Sequence, residues 1–171
     1  MTTSTANVAA GRSNLDQEPL PRLAAGVLIG VAAAKLLLHL LTSVRNYGYF
    51  RDELYYLDLA RHLDWGYVDC APLIAVYAKV ALLLGGSLPM LRLFPALAGG
   101  ALVVLAALIA RRLGGGAFAQ SLAGLAVAVA PIYLGTDSLL TMNAFEPLLW
   151  MGAVLVLLRS LDGGDRRAWL L

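Results

Sequence analysis

The chain has 171 residues, of which 60% are apolar and 14% are charged, and its mean hydropathy is +0.74. A soluble domain averages about 45–50% apolar and about 25% charged residues, and a globule of this size cannot bury such an apolar excess in water. The composition therefore predicts an integral membrane protein. A net charge of +2 gives no reason to expect a nucleic acid partner, and the single cysteine, Cys70, excludes an intramolecular disulfide framework.

Four apolar segments are long enough to be transmembrane helices. They cover residues 20–44, 93–110, 114–136 and 143–161. Residues 1–19 are predicted to form a disordered polar tail, and a fifth span is expected to begin at residue 168. The pattern predicts a truncated all-α polytopic membrane protein with about four complete transmembrane helices, in which residues 20–171 are the amino-terminal part of a larger transmembrane domain.

The basic residues predict the orientation of these spans. Arginines are concentrated in two short turns, at Arg111-Arg112 and at residues 162–167, and basic residues in short loops stay on the cytoplasmic side. The amino terminus is then cytoplasmic, and residues 46–91 form a long outer loop. We expect a multi-pass protein of the plasma (inner) membrane whose carboxylates gather on the outer side.

The outer loop predicts two short helices that lie in the membrane interface. Apolar and aromatic side chains recur at helical spacing over residues 52–63, which suits a helix at headgroup depth. A second, more apolar helix is predicted over residues 72–84, because Pro72 can begin it and Gly85-Gly86 can end it.

Several motifs carry a resemblance to a known family. They are YGYFRDELYY (residues 47–56), ARHL (60–63), WGYVD (65–69), LRLFPALAG (91–99) and LLTMNAFEP (139–147). In order and spacing the chain resembles the amino-terminal part of bacterial glycosyltransferase family 39, which is related to the protein O-mannosyltransferases and the lipid A aminoarabinose transferase. The resemblance implies a GT-C-like fold with two interfacial helices in the first outer loop.

The resemblance also implies the reaction. A sugar would pass from a polyprenyl-phosphate donor to an extracytoplasmic acceptor, which is a lipid, a glycan or a protein, at a site in contact with membrane lipids. No organic cofactor is implied, and the use of a divalent metal stays open, with its ligands unknown. Because later helices of the family are missing, the fragment alone is expected to be inactive.

The family carries an Asp-Glu pair in its first outer loop, and Asp52-Glu53 match that pair. By resemblance Asp52 is the expected catalytic base, with Glu53 beside it as a supporting or metal-facing acid. Two plainer interpretations stay open, since Asp is a favoured helix N-cap and acids are stabilised in a first helical turn. Asp52 would then only cap its helix, and Glu53 would be a solvated charge.

Basic side chains of the outer side are candidates to bind the donor phosphate, because a guanidinium grips phosphate oxygens at two points. Arg51 and Arg61 are the main candidates, with Arg45 and Arg92 as further ones. Each of them taken singly also suits a simpler role as an interfacial anchor.

Two outer acids are further candidates for substrate binding. Asp137 would orient the acceptor or bind metal, unless it is only a polar turn residue. Glu146 has a structural alternative too, since Asn143 and Glu146 are spaced like a capping box. Within the first span, Lys35 and His39 lie one helical turn apart, and Lys35 is expected to snorkel or to pair inside the bundle.

A transporter or a non-enzymatic membrane scaffold is the alternative to a transferase. A transporter would place binding acids near the bilayer midplane, within broken helices or inverted repeats. The sequence shows no internal repeat, and its acids lie near the predicted outer boundary. The sequence therefore favours a glycosyltransferase.

Overall fold

The computed structural model describes residues 19–45 and 48–161, and every regular element within these ranges is helical. The predicted tail, apart from its last residue, and the predicted fifth span lie outside the described residues. The all-α prediction is confirmed for this part of the chain. In order the elements are α1 (Ala25–Arg45), α2 (Arg51–Arg61), α3 (Pro72–Leu83), α4 (Leu88–Arg112), α5 (Ala117–Val129), α6 (Pro131–Thr136), a 3-10 turn (Met142–Ala144) and α7 (Glu146–Leu161).

Three helical segments of the described chain are long and apolar enough to cross a membrane. They are Ala25–Ser43 within α1, Leu88–Arg112, which is α4, and Met142–Leu161, which combines the 3-10 turn with α7. Helix α4 begins five residues before the predicted span at residue 93, so that Arg92 belongs to the helix instead of flanking it. From this position in the helix, Arg92 reaches Glu53, as described below for the candidate site.

The predicted third span, residues 114–136, is not one helix. Helix α5 ends at Val129, Ala130 is extended with ψ 124°, and α6 begins at Pro131. Proline has no N–H to donate and disfavours helical backbone in the residue before it. The single span predicted here is therefore divided, and α5 alone, with 13 residues, is about 20 Å long.

The two outer helices agree closely with the sequence prediction. Helix α3 covers the predicted residues to within one, and the chain turns after it at Gly85 and Gly86, whose φ angles are 111° and 65°. Only glycine adopts such angles readily. Helix α2 packs on α3 around a shared cluster of buried side chains, which are Tyr56, Ala60, Ile74, Ala78, Ala81, Leu91 and Leu140.

Helix α4 is the centre of the bundle, with α1, α5 and α7 packed around it. Its buried face is rich in small side chains, among them Ala98, Gly99 and Ala107. Small residues let membrane helices approach closely. Gln120 joins the start of α5 to the segment before α1: it is fully buried, accepts from the Ala24 amide at 3.0 Å and donates to the Arg22 and Gly115 carbonyls.

Candidate active site

Asp52 lies in the first turn of α2, at the amino-terminal end of the helix. The helix begins at Arg51 after an extended Phe50, so Asp52 is the second helical residue. The interpretation of Asp52 as the N-cap is wrong, because the N-cap position belongs to Phe50 and no side chain caps there. The Asp52 side chain is 37% exposed, and one oxygen accepts from Arg51 Nε at 3.1 Å. Its carboxylate is thus open to a ligand at a helix end that stabilises negative charge.

Glu53, the next residue, has the opposite environment. Its side chain is fully buried, and its two oxygens accept four hydrogen bonds, from the amides of Phe50 and Leu140 and twice from Arg92. A carboxylate offers about four acceptor positions. The interpretation of Glu53 as a solvated charge is therefore wrong, and the four bonds leave little acceptor capacity for a substrate or a metal.

Arg92 holds Glu53 in a two-pronged ion pair. Its Nε and Nη2 atoms each lie 2.9 Å from one Glu53 oxygen, and Nη2 also donates to the Gly48 carbonyl at 3.1 Å. This fork geometry is one of the strong charge-assisted contacts in proteins. Arg92 is 6% exposed, so the guanidinium predicted to bind a donor phosphate is largely committed to Glu53.

A second buried ion pair lies nearby. Lys35 Nζ is 2.8 Å from Asp137 Oδ2, and both side chains are 1% exposed. Lys35 thus pairs inside the bundle, one of the two alternatives expected for it, and also reaches the Val127 carbonyl at 3.4 Å. Asp137 follows α6 directly, and its carboxylate faces this lysine instead of solvent.

Helix α2 carries two phenol groups, those of Tyr55 and Tyr56. Tyr55 donates to Asp69 Oδ1 at 2.7 Å, and this hydrogen bond is the main reason that the pKa of Tyr55 is raised to about 12. Burial, with the charge of Asp52 as a further cause, raises the pKa of Tyr56. Both phenols stay protonated at neutral pH, and that of Tyr55 acts as a hydrogen-bond donor to Asp69.

The comparison with known proteins identifies the family of this chain. Residues 69–171, more than half of the sequence, match the dolichyl-phosphate-mannose-protein mannosyltransferase family. The chain belongs to this family. The match confirms the resemblance to GT-C glycosyltransferases, and it includes Arg92 and Leu140 but begins after Asp52-Glu53. No curated protein and no solved structure matches the chain.

In this mannosyltransferase-family protein the remaining predicted site residues are dispersed. Arg51 is 89% exposed and lies beside Asp52. Arg61 ends the same helix, and nine residues of helix separate it from Asp52 by about 14 Å along the axis. Only Arg51 of the two arginines is therefore close to the predicted base.

Glu146 belongs to a different concavity. It is exposed at the start of α7 and lines a groove of about 540 Å³ between α3 and α7, whose other walls are apolar or aromatic, such as Ile74, Tyr77 and Trp150. The predicted capping box is wrong, since Asn143 lies within the 3-10 turn and Glu146 is itself the first residue of its helix.

A smaller, more polar concavity of about 260 Å³ adjoins the Glu53–Arg92 pair. It is lined by Thr42, Ser43, Gly48, Tyr49, Phe50, Arg92, Ser138 and Leu139. Its position between the end of α1, the start of α2 and the segment after α6 could not be read from the sequence, because these three pieces are far apart in the chain.

The described residues contain no group of three or more His, Cys, Asp or Glu side chains that could hold a metal ion. The acids of the site are instead separated, with Glu53 and Asp137 in buried ion pairs and Asp52 near the surface. A metal ion, if the reaction uses one, stays a prediction from the resemblance.

Proposed function

We propose that this glycosyltransferase moves a sugar from a polyprenyl-phosphate donor to a hydroxyl group of an extracytoplasmic acceptor, with Asp52 as the general base. The observation that carries the proposal is the contrast between two adjacent acids. Asp52 is partly exposed beside Arg51, while Glu53 is buried under four hydrogen bonds. Asp52 is accessible for reaction, and Glu53 holds in place the helix turn from which the Asp52 side chain projects.

The chemistry follows from these positions. The acceptor oxygen forms a bond to the anomeric carbon of the sugar, the bond from that carbon to the donor phosphate oxygen breaks, and the acceptor proton passes to Asp52. The electron pair of the broken bond stays on the polyprenyl phosphate. A cation near the departing phosphate lowers the barrier by stabilising this charge, and Arg51, 89% exposed beside Asp52, is suited to that task.

In this proposal Glu53 and Arg92 are positioning residues. They touch neither substrate, but their ion pair joins the first turn of α2 to the start of α4. Small displacements of a catalytic group lower the reaction rate strongly. A rigid helix turn that holds Asp52 in place therefore favours catalysis. Asp137 and Glu146 are not assigned to the substrates by this argument.

The lipid-linked donor agrees with the family name, which specifies a dolichyl-phosphate-mannose donor for its members. It also agrees with the apolar helices on both sides of the candidate site. The proposed orientation puts the amino terminus in the cytoplasm and α2 at the outer face of the plasma membrane, because the arginines at the end of α4 and after α7 favour the cytoplasmic side.

The experiment is a transfer assay with membranes that contain the protein in its full natural length. Radiolabelled polyprenyl-phosphate mannose and a radiolabelled nucleotide sugar are supplied separately, and label is counted in the lipid, glycan and protein fractions. We expect label to reach one of these fractions only from the lipid-linked donor. Uptake of unaltered sugar into vesicles, with no covalent product, would instead support a transporter.

A further inference from the structure

We infer that Lys35 and Asp137 are a positioning pair that sets the 137–140 segment and, through the Leu140 amide, the Glu53 carboxylate behind Asp52. The inference rests on the proposed function for its effect on rate. Asp137 then has a role different from the substrate or metal contact predicted from the sequence. Lys35, a charged residue in the first span, serves to hold Asp137 in place.

The pair is built into the bundle by close packing. Gly99 of α4 lies against it, so that a Cβ atom at this position would be 2.7 Å from Asp137 Cγ and 2.9 Å from Lys35 Cε. Such distances are well below ordinary contact. The ion pair therefore depends on the absence of a side chain at residue 99, and it brings α1, α4 and the end of α6 together at one point.

The 137–140 segment is tied at both ends to buried charge. At its beginning Asp137 pairs with Lys35, and at its end the Leu140 amide donates to Glu53 Oε1 at 3.2 Å. Leu140 is itself fully buried in the cluster that joins α2 to α3. A segment of four residues fixed in this way has little freedom, so a shift of Asp137 moves the hydrogen-bond donor of Glu53.

Single and double substitutions separate this role from direct substrate binding. Asp137→Asn and Lys35→Met each leave one buried charge without its partner, whereas the double variant Lys35→Met/Asp137→Leu leaves none, and such apolar replacements of a buried pair are often tolerated. A contact with acceptor or metal would be lost equally in Asp137→Asn and in the double variant. If the pair acts only by positioning the segment, an apolar contact can replace it in the double variant, and the position is lost only in the single variants, where one charge stays unpaired.

We expect each single variant to lower kcat by about 10- to 100-fold, the scale of a displaced catalytic group, with KM for the lipid-linked donor unchanged. The double variant should recover kcat to within about threefold of the wild type, since no unpaired charge remains. Rates are taken per folded protein, measured by size-exclusion chromatography. A double variant as inactive as Asp137→Asn would overturn the inference.

Adjacent glycines supply a matched control that keeps both charges. A methyl group at Gly99 overlaps the ion pair, while at Gly100 the nearest atom is the Ala32 carbonyl oxygen at 3.8 Å. Gly99→Ala should therefore lower kcat as the single charge variants do, and Gly100→Ala should not. Equal effects of the two alanines would contradict the positioning role.

Cys70 gives a second readout that does not need sugar transfer. It packs against the cluster that contains Leu140 and Tyr56, so its rate of alkylation reports the packing there. Asp137→Asn should raise that rate and the double variant should restore it. If the wild type transfers no sugar, the proposed function is wrong, but alkylation of Cys70 still tests the Lys35–Asp137 pair. If Asp137→Asn leaves the alkylation rate of Cys70 unchanged, the positioning role of the pair is wrong.

Discussion

Removing the Arg92 side chain should destabilise the outer helices severely. In Arg92→Met the Glu53 carboxylate stays buried but loses two of its four hydrogen bonds, while the Gly48 carbonyl loses one. Hydrogen bonds to charged groups contribute about 1.5–3 kcal/mol each, which gives about 3–6 kcal/mol for the two. Breaking a buried ion pair by removing one partner costs about 3–5 kcal/mol. The two routes agree.

The assay is thermal unfolding of the protein in lipid nanodiscs. In a domain of 150–250 residues 1 kcal/mol shifts Tm by about 2–4 °C, so Arg92→Met should lower Tm by about 6–20 °C. Arg92→Lys keeps the charge but replaces the two-pronged guanidinium by a single ammonium group, and its decrease in Tm should be about half as large. Arg61→Met, at the exposed end of α2, is the control and should change stability by no more than about 0.5 kcal/mol.

A double variant completes the test. Glu53→Met/Arg92→Met removes both charges and should unfold at a higher temperature than Arg92→Met, because no unpaired charge remains in the interior. Equal unfolding temperatures of Arg92→Met and Arg61→Met would show that the buried ion pair does not stabilise the protein. A double variant less stable than Arg92→Met would show that the unpaired carboxylate is not the cause of the loss.

Three further predictions concern other contacts. An impermeant maleimide should label Cys70 in intact cells, but more slowly than it labels cysteine in solution. Burial raises the pKa of this thiol, and the thiolate is the reactive form. Labelling only after lysis would show that the orientation is the reverse of the proposed one. In an ultraviolet titration the Tyr55 phenol, identified by comparison with Tyr55→Phe, should ionise near pH 12. Its stabilising hydrogen bond to Asp69 should be fully present below pH 10 and should be lost as the pH rises through about 12; ionisation near pH 10 would contradict this hydrogen bond. Gln120→Leu leaves three backbone groups unpaired and should lower stability by about 1–3 kcal/mol or more. The control is Ser121→Ala, a half-buried neighbour whose hydroxyl bonds only to a carbonyl of its own helix, and it should change stability little; equal unfolding temperatures of the two variants would disprove the buried bonds.

The helices were largely predictable because hydropathy and turn residues act locally. Pro72 and Gly85-Gly86 mark α3 in the sequence as they do in the structure. The error at the start of α4 has a physical reason. A hydropathy criterion stops at Arg92, but the ion pair with Glu53 neutralises that charge and lets the helix continue through it. The division at Pro131 follows from proline itself.

The partners of the charged residues could not be predicted in the same way. Glu53 and Arg92 are 39 residues apart in sequence, and Lys35 lies in α1 whereas Asp137 follows α6. Neither spacing nor propensity connects such positions. The sequence therefore indicated which residues are chemically able to act, and the fold decided which of them are already paired.

The most direct test of the account is the rate of sugar transfer by Asp52→Asn. Asparagine keeps the shape of the side chain but cannot accept the acceptor proton, and general-base catalysis contributes about 100- to 10,000-fold. We expect a loss of that size from polyprenyl-phosphate mannose, with membrane insertion and donor binding retained. Asp58→Asn, an exposed acid on the same helix, is the control and should transfer at the wild-type rate. A rate for Asp52→Asn equal to that of Asp58→Asn would show that Asp52 is not the general base.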